Sequence, residues 1–143
     1  MERFVADAVD KGAKVEAGGR RIGNKGYFYE PTVLSNVSDD ALIMNEEPFG
    51  PVAPVTSFSD FDEVMARANA LPFGLAAYAF SSSNKTAMRA SAHLKSGMVG
   101  LNTMAISSPE TPFGGVKESG HGQEGGAEGL EAYLDVKLVA QGE

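Results

Sequence analysis

The chain has 143 residues, 12 Lys and Arg against 19 Asp and Glu, a formal charge of −7 and no cysteine. That length suits one compact domain, and the acidic balance has the wrong sign for a nucleic-acid partner. The lack of Cys excludes disulfides, a thiolate nucleophile and zinc–thiolate sites. With no apolar run long enough to span a bilayer and no leader-like start, the composition predicts a soluble cytoplasmic protein without a membrane partner.

Residues 2–11 place Phe4, Val5, Ala8 and Val9 on one face and Arg3, Asp7 and Asp10 elsewhere, the pattern of an amphipathic helix, which Gly12 should stop. Residues 15–17 lead into a Gly-rich basic turn over 18–26. The aromatic and β-branched run 27–34 follows as extended structure, with Pro31 marking an edge or irregular position. After a polar stretch at 36–40, residues 52–58 read as a strand. Asp60 with Glu63 reads as a helix start, and Phe61, Val64, Met65, Ala68 and Leu71 then recur at helical spacing.

The apolar run 75–80 suggests a strand buried on both faces. Asn84 is the expected cap of a helix running to Leu94 and closing near Gly97, and 98–101 return as a strand. Strands alternating with helices predict an α/β fold, an open parallel sheet with helices on both faces. A glycine-dense region from Gly114 to Gly129 precedes a β-prone tail, a strand over about 134–141. No repeat or linker divides the chain, so residues 1–143 read as one piece.

Two segments carry chemical information. Residues 45–52, NEEPFGPV, set two adjacent carboxylates before a rigid turn leading into a strand, where open α/β folds bind ligands. By themselves they also admit a solvated acidic turn with a core phenylalanine. Residues 102–122, NTMAISSPETPFGGVKESGHG, offer Ser107, Ser108, Thr111 and Phe113 as hydroxyl donors and an aromatic wall, or simply a Gly-rich surface loop. The glycine spacing is weak evidence for phosphate binding, since no GxGxxG follows an early strand and no Walker-type Gly-Lys-Ser is present.

Taken together, the first segment resembles the EE-x-FGP motif of the aldehyde dehydrogenase family, and residues 112–122 resemble its PFGG-x-K-x-SG-x-G signature. The order GGR, YFYEPTVL, FGLAAYAF, EAYLDVKLVA follows the C-terminal third of that family over essentially the whole chain. The resemblance implies that Glu47 binds the nicotinamide ribose of NAD or NADP, an ionised carboxylate accepting from two neighbouring hydroxyls. It also implies that Phe49 packs near the same ribose and that Phe113 lines the aldehyde tunnel. The stretch ISSPE at 106–110 is similar to the succinate-semialdehyde subgroup, which implies that Ser107 hydrogen-bonds the substrate's distal carboxylate. The cations such a group normally needs would then lie upstream.

Other polar residues read as structural: His93 and His121 have no metal-ligand spacing, Ser81, Ser82 and Ser83 look like a turn, and Met44, Met65, Met88, Met98 and Met104 look like core or loop filler. An aldehyde dehydrogenase also needs a thiolate, a general base and a nucleotide-binding domain. The absence of Cys removes the first, and the resemblance implies that the base and the nucleotide-binding half lie upstream, so the chain is expected to hold no catalytic residue and no metal site of its own. The expectation is a C-terminal portion of an NAD(P)-dependent aldehyde dehydrogenase, inactive alone and homo-oligomeric through its tail strand. The alternative is a non-catalytic oligomerisation or interaction module derived from that fold.

Overall fold

The computed structural model describes residues 1–143, which fall into two compact units, Met1–Ser59 and Asp60–Glu143. In the first unit, helix α1 (Glu2–Asp10) buries Phe4, Val5 and Ala8, while Val9 lies on the exposed rim of that face. Its end closes as a double turn. The Gly12 N–H donates to the Val9 carbonyl and the Ala13 N–H to the Ala8 carbonyl, both at 2.9 Å, with Gly12 at φ +93° as this C-cap requires.

Strand β1 (Lys14–Ala17) runs antiparallel to β2 (Thr32–Ser35), with a bulge between Val15 and Ala17, and β2 runs parallel to β3 (Val52–Val55). The central strand is therefore β2. Pro31 sits just before it, outside the ladder, and Pro54 lies in β3, which pairs on one side only. The expected extended run 27–34 becomes a ladder only from Thr32; before that, the Gly-rich excursion folds back through a bridge between Arg21 and Tyr29. The buried Thr32 hydroxyl donates to the Glu30 carbonyl and accepts from the Gly19 N–H, each at 2.8 Å, closing the base of the excursion. Leu34 and Ile43 pack with Phe4, Val5, Ala8 and Val37 in a core where Leu34 is wholly buried. A short helix, α2 (Leu42–Asn45), had no counterpart in the sequence pattern.

In the second unit, helix α3 (Phe61–Ala68) is capped as expected, the Asp60 carboxylate accepting from the Glu63 N–H at 2.8 Å. Strand β4 (Phe73–Gly74) pairs antiparallel with β7 (Val116–Lys117). Strand β5 (Ala76–Ala79), helix α4 (Asn84–His93) and strand β6 (Met98–Leu101) form a βαβ unit with β5 and β6 parallel. The fold is thus mixed α/β with parallel strand pairs, as the alternation predicted.

Two details differ. The cap of α4 is Ser83, one residue before the expected Asn84: Ser83 has the extended backbone of an N-cap and accepts from the Thr86 N–H at 3.3 Å, whereas Asn84 is already helical. The run 75–80 is not buried on both faces, since Phe80 is 64% exposed and Leu75 and Tyr78 are also open. The pair β5–β6 is a two-stranded sheet packed against α4, with Ala87, Ala90 and Met98 buried and Leu75, Tyr78 and Phe80 left open.

Lys117 adopts φ +57°, unusual for a side chain with a Cβ, and its ammonium donates to the Leu71 and Asn69 carbonyls at 2.8 and 3.1 Å. After a 3₁₀ turn (Glu128–Tyr133), residues 134–143 make no ladder, and Val136, Leu138 and Val139 are exposed. The β-prone tail has no strand partner in this chain, and an extended segment becomes a strand only against one. No helix is long and apolar enough to cross a membrane.

Candidate functional site

The acidic pair lies where α2 ends. The Glu46 N–H closes the helix on the Leu42 carbonyl at 2.8 Å, and Glu46 itself turns extended, at φ −118° and ψ 142°. Adjacent side chains on extended backbone leave in opposite directions. Glu46 goes to the Arg3 guanidinium and forms an ion pair. Glu47 is exposed and makes no hydrogen bond or ion pair within the chain. Of two carboxylates indistinguishable by composition, one is spent on the fold and the other is free.

The next residues fix the turn. Gly50 and Val52 donate to the carbonyls of Pro48 and Gly50 at 3.1 and 2.9 Å, and Thr32 donates to the Pro51 carbonyl at 2.8 Å, which sets the start of β3. Phe49 is 86% exposed, so the reading of it as a core phenylalanine does not hold. Its ring borders an open cleft of about 240 Å³ with Arg21, Tyr27, Phe28 and Tyr29. The Tyr29 hydroxyl there is buried without a partner; burial, then the charges of Glu2 and Glu30, push its pKa up. A free acceptor-only carboxylate two residues from an exposed ring fits a sugar diol: two oxygens for two hydroxyls, and an apolar face for the ring.

In the second unit the candidate substrate loop follows β6. Asn102 begins it at φ +55°, a conformation Asn tolerates, and its amide grips Ser81 twice. The Ser81 N–H donates to Asn102 Oδ1 at 2.8 Å, and Asn102 Nδ2 donates to the Ser81 carbonyl at 3.0 Å. The loop entrance is thereby pinned to the end of β5. Further on, Ser108 Oγ donates to Glu110 Oε2 at 2.8 Å, and the Thr111 N–H donates to the Ser108 carbonyl at 3.2 Å. The Ser108 hydroxyl holds the Glu110 carboxyl below the usual carboxylate range.

Ser107 makes none of these bonds. It is exposed and opens onto a cleft of about 460 Å³ with Gly100, Thr103 and Ile106, and onto a second of about 380 Å³ with Phe113. Phe113, half-buried, is fixed by paired backbone bonds with Glu124 at 2.6 and 2.7 Å. A Cβ on Gly97 would meet the Gly114 carbonyl, and one on Gly114 the Gln123 side chain and, at 2.7 Å, the Gly122 carbonyl. Three stretches of main chain meet here at backbone distance, which fixes where the Phe113 ring sits.

The structure therefore brings Glu47 and Phe49 together on one turn, and Ser107 and Phe113 around one cleft. His93 is structural: its Nδ1 lies 2.8 Å from the Arg89 carbonyl and its ring meets Phe61 edge-on at 5.8 Å. His121 is exposed among glycines, and no group of three or more His, Asp or Glu is arranged to hold a metal. Arg3 and Asp7, read from sequence only as lying off the apolar face of α1, turn out with Lys11 to hold the Glu47 segment. Their only sequence signal is a four-residue spacing that solvated helix faces share.

The model of the aldehyde dehydrogenase family matches residues 1–139, and the chain belongs to that family. It is 49% identical over 142 residues to a probable NADP(+)-type succinate-semialdehyde dehydrogenase of Sinorhizobium fredii, and 48% identical to a 3-sulfolactaldehyde dehydrogenase of Pseudomonas putida. Each comparison covers 99% of this chain and 29% of the relative. The crystal structure of succinate-semialdehyde dehydrogenase from Burkholderia pseudomallei superposes with a TM-score of 0.88 at 45% identity, covering 92% of this chain and 27% of that one. The chain thus spans less than a third of the length of the curated relatives it matches.

Proposed function

We propose that residues 1–143 are the C-terminal portion of the catalytic domain of an NAD(P)-dependent aldehyde dehydrogenase acting on succinate semialdehyde or a similar acid-bearing aldehyde. The observation that carries this reading is the division of labour in the two motif pairs. Glu46 and Ser108 are consumed within the chain, while Glu47 and Ser107, the members the family resemblance assigns to ligands, are exposed and unpartnered.

Glu47 accepts from the ribose hydroxyls and fixes the sugar, and the Phe49 ring packs against it so that the nicotinamide is held in one orientation. Bound NAD(P) supplies the two-electron acceptor for aldehyde oxidation. Ser107 donates its hydroxyl to the substrate's distal acid group, and Phe113 walls the aldehyde away from bulk water. With no cysteine in the chain, the nucleophile comes from elsewhere in the complete enzyme, as the family resemblance implies for the base too, and the chain alone is inactive. A second reading, an assembly module pairing through the tail, is favoured by the exposure of Leu134, Val136, Leu138 and Val139.

The test is NADH and NADPH formation from succinate semialdehyde by this chain alone and by the same chain joined to the N-terminal two-thirds of a family member. Turnover in the joined protein only is expected. Turnover by the chain alone would overturn its inactivity, and silence in both would remove the enzyme reading in favour of the assembly module. In the joined enzyme, Ser107→Ala should raise KM for succinate semialdehyde about tenfold, the worth of one hydrogen bond to a charged group. Propanal, which has no distal acid, should be unaffected; an equal rise for both aldehydes would show that Ser107 does not read the acid group.

A further inference from the structure

Helix α1 carries Arg3 and Asp7, with Lys11 at its C-cap, four residues apart, a spacing that a 3.6-residue turn lays in one row. All three are committed to the segment that ends in Glu47. Ala41, at the N-cap of α2, has no oxygen to offer, and Asp7 supplies one from 35 residues away, its carboxylate accepting from the Leu42 N–H at 2.7 Å. That bond holds the Asp7 carboxyl below its usual range, with Lys11 and Arg3 adding to the effect. Lys11 bonds the Asp40 carbonyl at 2.7 Å and pairs with Asp7 at 3.1 Å. At the other end of α2, Arg3 holds Glu46, the residue before Glu47. Asn45 completes the frame, donating to the Asp39 and Ala41 carbonyls at 2.8 and 2.9 Å.

A helix of four residues has no stability of its own, and an ion pair as exposed as Arg3–Glu46 adds little to folding. Its effect is directional. With Glu46 drawn to Arg3, the alternation of extended backbone commits Glu47 to the opposite side. Without that tie, the two carboxylates at the end of α2 could exchange places.

We propose that the Arg3–Asp7–Lys11 row along α1 and its C-cap is a positioning device for the Glu47 carboxylate, holding α2 at both ends so that Glu47, not Glu46, faces the cofactor ribose. This rests on Glu47 being the ribose ligand. The three are positioning residues and do not themselves touch the cofactor.

Two measurements separate the device from the reading beneath it. Hydrogen exchange on the chain alone should show faster exchange over residues 41–47 in Asp7→Ala, with the core strand β2 unchanged; unchanged exchange over 41–47 would overturn the device whatever the function. Equilibrium titration of NADH and NADPH fluorescence on the joined enzyme should show a Kd raised about tenfold in Arg3→Met, largely restored in Arg3→Lys, with the melting temperature unmoved. If Arg3→Met leaves Kd unchanged while Glu47→Gln raises it, the positioning role fails and the ribose reading stands. If Glu47→Gln leaves Kd unchanged, both fail.

Discussion

In the joined enzyme, Glu47→Gln raises the Kd for NADH or NADPH by between about tenfold and a hundredfold. The substitution keeps the volume and one carbonyl acceptor, and removes the charge and the second acceptor that a vicinal diol uses. Hydrogen bonds to a charged group are worth about 1.5–3 kcal/mol, which converts to that range. The neighbouring Glu46 provides the internal standard. Glu46→Gln keeps a carbonyl able to accept from Arg3 and should cost several times less, because Glu46 is already paired with Arg3. Equal losses at the two positions, measured by titration and not by turnover, would mean that the carboxylates are interchangeable and that the pairing with Arg3 assigns nothing.

The second large effect is on stability. Leu34 is fully buried in the central strand of the first unit, packed between α1 and the residues around α2. Leu34→Ala is expected to destabilise the chain by about 2–5 kcal/mol, since the lost methyls leave a cavity that a strand paired on both sides cannot collapse into. Set against a typical total of about 5–15 kcal/mol, this is enough to leave the first unit marginal. Val33, next in β2 but on the open face, should lose under about 1 kcal/mol on the same truncation. Urea unfolding followed by circular dichroism gives both numbers; a Leu34→Ala loss no larger than that of Val33→Ala would show that this core is not the one that holds the unit together.

The helices legible in the sequence were those whose start and apolar face are written locally. Asp60 reaches Glu63, and Phe4, Val5 and Ala8 share a face, so α1 and α3 can be read without knowing what lies across from them. Helix α2 could not be read this way, because its cap comes from Asp7, 35 residues distant. The pairing of β4 with β7 was invisible for a similar reason: two residues on each side, brought together by a lysine in a left-handed conformation whose ammonium reaches back 46 residues to Leu71. The run 75–80 looked like a doubly buried strand because apolar content records what a segment can bury, not what covers it in a given chain.

The motifs single out both pairs as candidates and do not say which member of each is tied up within the chain. That Ser108 is tied to Glu110 and Glu46 to Arg3 depends on side-chain geometry across turns, which spacing does not encode.

The glycine contacts beneath Phe113 bear on how far this loop can be redesigned. At Gly97 and Gly114 the obstacles to a side chain include main-chain carbonyls, which no choice of rotamer moves aside. Residues 103–108, by contrast, border open space and are mostly exposed. Substitutions in this loop therefore have their freedom concentrated before Pro109, and the Phe113 ring after it can be changed in kind but scarcely in place.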